Sequence, residues 1–179
     1  ILTRSTITLA SVSFCLHTLS VLTLMAMQVL QDYSISYVVS VVNSVMPTIL
    51  KMTAVWGGQA GSLFFWGWTL NLVLFISLHV RRQIQDGWSF LFTALNLLFF
   101  GAISLFAENP FSRVWLLESG DILEGVFSPA AGASVYGGIS GFGLNPLLRH
   151  WGMVIHPPIL YLGFALFLVP FSVAVSYLI

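Results

Sequence analysis

Three stretches of this chain, Ser5 to Gln31, Met52 to Val80 and Trp151 to Ile179, run for more than 20 residues without an Asp, Glu, Lys or Arg, and Gly87 to Ala107 reaches about that length. About 20 apolar residues in helical form cross the hydrocarbon core of a bilayer, where every backbone N–H and C=O must find its partner inside the protein. Four helical spans are predicted, at about residues 6–30, 61–80, 88–106 and 154–179. A membrane β-barrel would instead show segments of about ten residues alternating apolar and polar, and none is present. Only 7% of the residues are charged, against about 25% in a soluble domain. The predicted fold class is therefore all-α, a polytopic helix bundle forming a single membrane domain in the lipid bilayer.

The segments between the spans differ in character. Residues 31–53 are broken by Ser34, Ser36, Ser40, Asn43, Ser44 and Pro47, so an interfacial or re-entrant piece is expected rather than a fifth span. Arg81-Arg82-Gln83-Ile84-Gln85-Asp86-Gly87 reads as a tight polar connection. Residues 108–150 form a long connector with Asn109-Pro110, Ser128-Pro129 and a glycine-rich tract from Gly132 to Gly143. Lys and Arg divide evenly between the two sides, so the positive-inside rule gives a tie. The density of charge in the short Arg81-Arg82 loop favours that side as cytoplasmic and the connector as outer. The net charge is zero and no basic patch points to nucleic acid. Cys15, the single cysteine, excludes an internal disulfide. The first span lacks a small-residue cleavage site and does not read as a signal peptide. The chain starts at Ile1 and its last span runs to Ile179 with no charged flank, which suggests a piece of a longer protein.

His156 is the strongest candidate for chemistry. It stands directly before Pro157-Pro158 at the mouth of the last span. A helix starting at Pro157 leaves it near the interface, whereas a helix continuing from Trp151 through the prolines sets it deeper. A neutral imidazole there can ligate haem iron, zinc or copper, or simply cap a neighbouring helix. His17, in the middle of the first span, and His79, at the end of the second, read as structural. His150 and His156 are six residues apart, about 240° around a helix, so they do not share a face.

Trp56-Gly57-Gly58-Gln59-Ala60-Gly61-Ser62-Leu63-Phe64-Phe65-Trp66-Gly67-Trp68 is the second dense motif. Its glycines let backbone approach a partner or a flat ring closely. Its tryptophans suit either a platform for such a ring or an interfacial belt. Trp56, Gly57, Gly58 and Trp66 are the residues placed against a cofactor on the first reading. The carboxylates Glu108, Glu118, Asp121 and Glu124 show no paired geometry in the connector.

Taken in order, Trp56-Gly-Gly-Gln-Ala-Gly-Ser-Leu-Phe-Phe-Trp66, Asn109-Pro-Phe111, Leu144-Asn-Pro-Leu-Leu148 and Val154-Ile-His-Pro-Pro-Ile-Leu-Tyr-Leu-Gly163 resemble the CcmF/NrfE family, integral-membrane subunits of cytochrome c haem lyase. The resemblance covers the chain from its first span to its end and the N-terminal part of the family's architecture. A preceding helix and a later tryptophan-rich haem-handling segment are not within it. The resemblance implies a protein of the bacterial inner membrane or an organellar equivalent. Such a protein binds haem and helps attach it to the CxxCH thiols of apocytochrome c, together with a haem chaperone and other maturation subunits. It implies that His156 is an axial ligand to the iron of a membrane-embedded, electron-transferring haem b, whose second ligand lies beyond Ile179. The family commonly carries an acidic residue where this chain has Ala60. It often has an aspartate at the place of Gly143 and a glutamine at that of Arg149. The connector is also longer than the family pattern suggests. Two other functions fit the composition: a transporter or channel subunit, whose broken helices would line a path, and a purely structural membrane subunit.

Overall fold

This computed structural model describes residues 4–80, 84, 86–128, 132–138 and 140–179. The Arg81-Arg82-Gln83 part of the polar connection, Gln85, Pro129 and Ile139 of the glycine-rich tract lie outside the described residues. Six α-helices occur among the described residues, in order: α1 (Arg4–Leu30), α2 (Ser36–Val41), α3 (Thr48–Thr53), α4 (Gln59–His79), α5 (Gly87–Phe106) and α6 (Trp151–Ser176). Four of them, α1, α4, α5 and α6, are long and apolar enough to cross a membrane.

The most buried of the four is α4, which packs against α1, α5 and α6. Lipid tails are as apolar as leucine side chains, so small residues and interhelical hydrogen bonds hold such helices together. Gly67 brings α4 close to α1 and α5, since a Cβ there would stand 3.3 Å from His17 Cε1 and 3.4 Å from Phe100 Cβ. Between α5 and α6, the hydroxyls of Thr93 and Ser172, both fully buried residues, lie 3.1 Å apart, and the hydroxyls of Ser89 and the half-buried Ser176 2.9 Å apart.

Asp86 starts α5. Its carboxylate accepts from the Ser89 backbone N–H at 2.8 Å and from the Ser89 hydroxyl. These bonds, the side-chain one foremost, hold its carboxyl below the usual range. A depressed folded value means that the stabilisation is present above the unfolded pKa, near 4, and is lost as pH falls through the folded one. Asp86→Ala is therefore expected to cost about 1 kcal/mol at neutral pH and to flatten the acid side of the stability curve. Thermal melts in detergent from neutral pH downward check this.

Residues 31–53 hold no fifth span, as expected, and fold as the two short helices α2 and α3. Tyr37, Val38, Val41 and Val42 line one face of α2 and its end, and all four are buried in the core with Met46. The α1 helix stops at Gln31, which takes φ of 60°. There Asp32 N–H donates to Met27 O and Gln31 N–H to Gln28 O, the Schellman pattern. Gln28 is fully buried; with its amide turned to suit its neighbours it donates to Lys51 O and accepts from Val55 N–H.

The connector holds structure that the sequence reading did not anticipate. A small antiparallel sheet of β1 (Arg113–Leu116), β2 (Ile122–Gly125) and β3 (Ser134–Val135) runs in the order β2-β1-β3. Val114-Trp115-Leu116 and Ile122-Leu123 are good strand formers, and Gly120 (φ 87°) closes the turn between them. Ser36 N–H to Ser112 O and Val114 N–H to Ser34 O fasten this sheet to the loop before α2.

Candidate functional site

One end of the bundle gathers the C-termini of α1 and α5, the N-termini of α4 and α6, and the described part of the connector. Tyr37 organises it. Its hydroxyl lies 2.9 Å from both Ala54 O and Val55 O, and it accepts from Gly58 N–H at 3.0 Å. The turn of residues 54–58 is therefore folded around a single phenol. Burial raises that phenol's pKa far above its ordinary value, against the opposing pull of the Gly58 bond.

The glycines beside it are closely packed, and Gly61 has no room for a side chain. A Cβ on Gly61 would meet Val55 O and the Tyr37 hydroxyl, one on Gly57 would meet Leu144 Cδ2, and one on Gly58 would stand 3.0 Å from the Tyr37 ring. Their φ values need no glycine: Gly58 is at −140° and Gly57 at −84°.

Trp56 connects this turn to the last helix, donating from its indole N–H to Met153 O at 2.7 Å. The acceptor is a carbonyl with no helical donor, because the residue four places on is Pro157, which lacks an N–H. Contrary to a start at about Val154, α6 begins at Trp151 and carries Pro157 and Pro158 in its second turn. His150 supplies the start, its Nδ1 accepting from Gly152 N–H at 3.0 Å.

The two Asn-Pro motifs join the same end. Asn145 Oδ1 accepts from Leu147 N–H at 3.0 Å, opening a 3-10 turn over Pro146–Leu148. Leu144 packs under Gly57, and an open cleft of about 500 Å³ separates Gly57-Gly58 from Gly143–Leu148. Asn109 Oδ1 accepts from Phe111 N–H at 2.9 Å, and the Phe111 ring meets Phe64 edge-on, centroids 5.6 Å apart. Gln59 Nε2 donates to Glu108 Oε1 at 3.1 Å. All four motifs, scattered over more than a hundred residues, thus converge.

His156 stands one turn beyond Met153, on the exposed face of α6. Its imidazole has no hydrogen-bond partner among the described residues. Gly152, Ile159, Leu160 and Gly163 share its face, about 40° or 60° or less away, and all four are exposed. Nothing lies within 4 Å of where a Cβ on Gly163 would be. The face is apolar and exposed on both sides of the imidazole. No cluster of three His, Cys, Asp or Glu occurs among the described residues, so His156 is a lone donor here.

The structure does not bring every candidate together. Trp66 stacks on Tyr161 (5.6 Å) and lies against Phe100 (4.8 Å) and Phe164 (5.5 Å), and Tyr161 points about 140° away from His156 around α6. Trp56, Gly57 and Gly58 sit behind the helix turn that precedes His156. His17 serves the α1–α4 interface, with Nε2 3.2 Å from Phe64 O and Nδ1 3.1 Å from Asn71 Nδ2. His79 does the same at the other end through Ser11, 3.1 Å away.

A helix bundle of this length and apolarity defines a multi-pass membrane protein. Residues 56–179 match the family described as cytochrome c assembly protein. The chain belongs to that family. It is 34% identical over 151 residues to cytochrome c-type biogenesis protein NrfE of Haemophilus influenzae, covering 83% of this chain and 21% of the relative. Against CcmF of Pseudomonas aeruginosa it is 32% identical over 160 residues, covering 83% and 20%. Against CycK of Rhizobium meliloti it is 33% identical over 176 residues, covering 95% and 23%. The chain spans about a fifth of the length of these relatives. No solved structure matches it.

Proposed function

We propose that this chain is part of a membrane haem lyase in which His156 gives an axial nitrogen to the iron of a haem b. The observation that carries this reading is an imidazole left without a partner on an exposed apolar helix face, one turn from the meeting point of the four motifs. A porphyrin has room there, since Gly152 and Gly163 bracket His156 while Ile159 and Leu160 offer apolar contact. His156 lies about 8 Å along a helix about 39 Å long, so a group bound to it would lie nearer the connector end than the middle of the span. A haem b held there would supply electrons to a second, delivered haem, whose vinyl groups take up the CxxCH thiols of apocytochrome c. The partners on this reading are apocytochrome c, a haem chaperone and the other maturation subunits. The compartment is the bacterial inner membrane or its organellar equivalent.

A reduced-minus-oxidised optical spectrum of the full chain, wild type beside His156→Ala, tests the ligand. The expected result is a b-type α-band in the wild type that is lost or displaced in the variant. A band identical in both removes His156 from the iron.

A further inference from the structure

We infer that Trp56 is a positioning residue for His156, acting as a substitute backbone donor at the proline break of α6. Pro157 does two things to the carbonyl of Met153. It withholds the N–H that would bond it, and its ring crowds the carbonyl and pushes it off the helix axis. A carbonyl left bare inside an apolar bundle is costly, and proline is kept in membrane helices where a neighbour re-satisfies the freed group. The indole N–H of Trp56 is that neighbour, at 2.7 Å.

The donor is itself held firmly. The Trp56 ring packs on Phe65 with centroids 4.8 Å apart, and its backbone belongs to the turn closed by the Tyr37 hydroxyl. The acceptor is held as well: Met153 is 8% exposed, and its Cε lies 3.2 Å from where a Cβ on Gly57 would be. Both ends of the hydrogen bond are thus fixed by the glycine motif. The bond ties the first turn of α6 to the glycine motif where Pro157 interrupts the helical ladder, and His156 stands within that interruption. The tryptophan of one motif therefore aims the histidine of another, although the two are a hundred positions apart in sequence. This differs from a platform role, in which the indole would lie against the bound ring.

The haem arm of the test rests on the function proposed above; the helix arm does not. Trp56→Phe keeps the ring and deletes the donor. Adding Pro157→Ala restores a donor to the same carbonyl from within the helix. In the full chain freed of haem, amide hydrogen exchange over residues 151–160 is expected to rise about ten-fold in Trp56→Phe, the factor that one such bond is worth, and to return in Trp56→Phe/Pro157→Ala. In the haem-loaded chain the α-band is expected to shift or weaken in the single variant and recover in the double. Exchange unchanged in Trp56→Phe overturns the inference. Exchange raised equally in single and double variants also overturns it, because the indole would then act by packing. If exchange responds as expected while wild type shows no haem band, the positioning role stands and the haem reading falls.

Discussion

Tyr37→Phe is expected to cost about 3 kcal/mol of stability, although it removes one oxygen atom and leaves the ring in place. The phenol oxygen is the shared partner of Ala54 O, Val55 O and Gly58 N–H. Ala54 and Val55 are fully buried, so water cannot replace it at their carbonyls; Ala54 O keeps the Gly57 N–H, and the main loss falls on Val55 O. Each buried group left unmet costs about 1–3 kcal/mol, and partial exposure at Gly58 limits the loss there. The same substitution should change the alkaline limb of stability. Burial raises the Tyr37 pKa, so its contribution is whole below the unfolded value, near 10, and drains away as pH climbs from there toward the folded one. Phenylalanine has no such limb. Melting temperatures in detergent at neutral pH and at pH above 10 would show both effects. Equal melting temperatures for variant and wild type at neutral pH would mean that the turn does not depend on the phenol.

Tyr37 also shows where sequence reasoning stopped. The four spans were legible because charge-free length is a local property and the bilayer sets a threshold for it. The residues of the meeting point were legible as motifs, yet their meeting was not. Nothing in Trp56 or Met153 announces a bond across almost a hundred positions. The proline that frees the carbonyl was visible, and a search for the donor that must answer it would have been a sound next question. Residues 31–53 were legible as no fifth span, but their buried helical face was not foreseen. Their serines raise the average polarity of the segment, but Tyr37, Val38, Val41 and Val42 recur at helical spacing and form a buried face. Period carried the signal there, and mean composition concealed it. The sheet of the connector was missed because its strands are only four residues long or fewer. Strands so short gain their stability from the α2 loop against which they pair.

Gly61→Ala sets two opposing magnitudes against each other. Alanine in a helix is favoured over glycine by about 1 kcal/mol, and Gly61 lies in the first turn of α4, so propensity alone predicts a gain. Against that, the new methyl would fall on Val55 O and on the Tyr37 hydroxyl. One is backbone in a tight turn and the other is the phenol that closes the turn, so neither can swing aside. Overpacking of this kind costs about 1–3 kcal/mol or more, and the clash is expected to win by about 2 kcal/mol. Gly101→Ala supplies the control: nothing lies within 4 Å of its Cβ position, so there the propensity gain of up to about 1 kcal/mol should appear alone. The Tyr37→Phe and Gly61→Ala costs should also fail to add. With the phenol oxygen gone, one of the two atoms that the methyl strikes is gone too. The double variant should be more stable than the sum of the singles predicts by more than about 0.5 kcal/mol. Because Trp56 projects from the same turn, loosening it should also free the indole from Met153 O. An exchange increase over residues 151–160 in Gly61→Ala, matching that in Trp56→Phe, would tie the glycines to the orientation of His156. Strict additivity with no such increase would make the glycine motif and the histidine helix two independent structures.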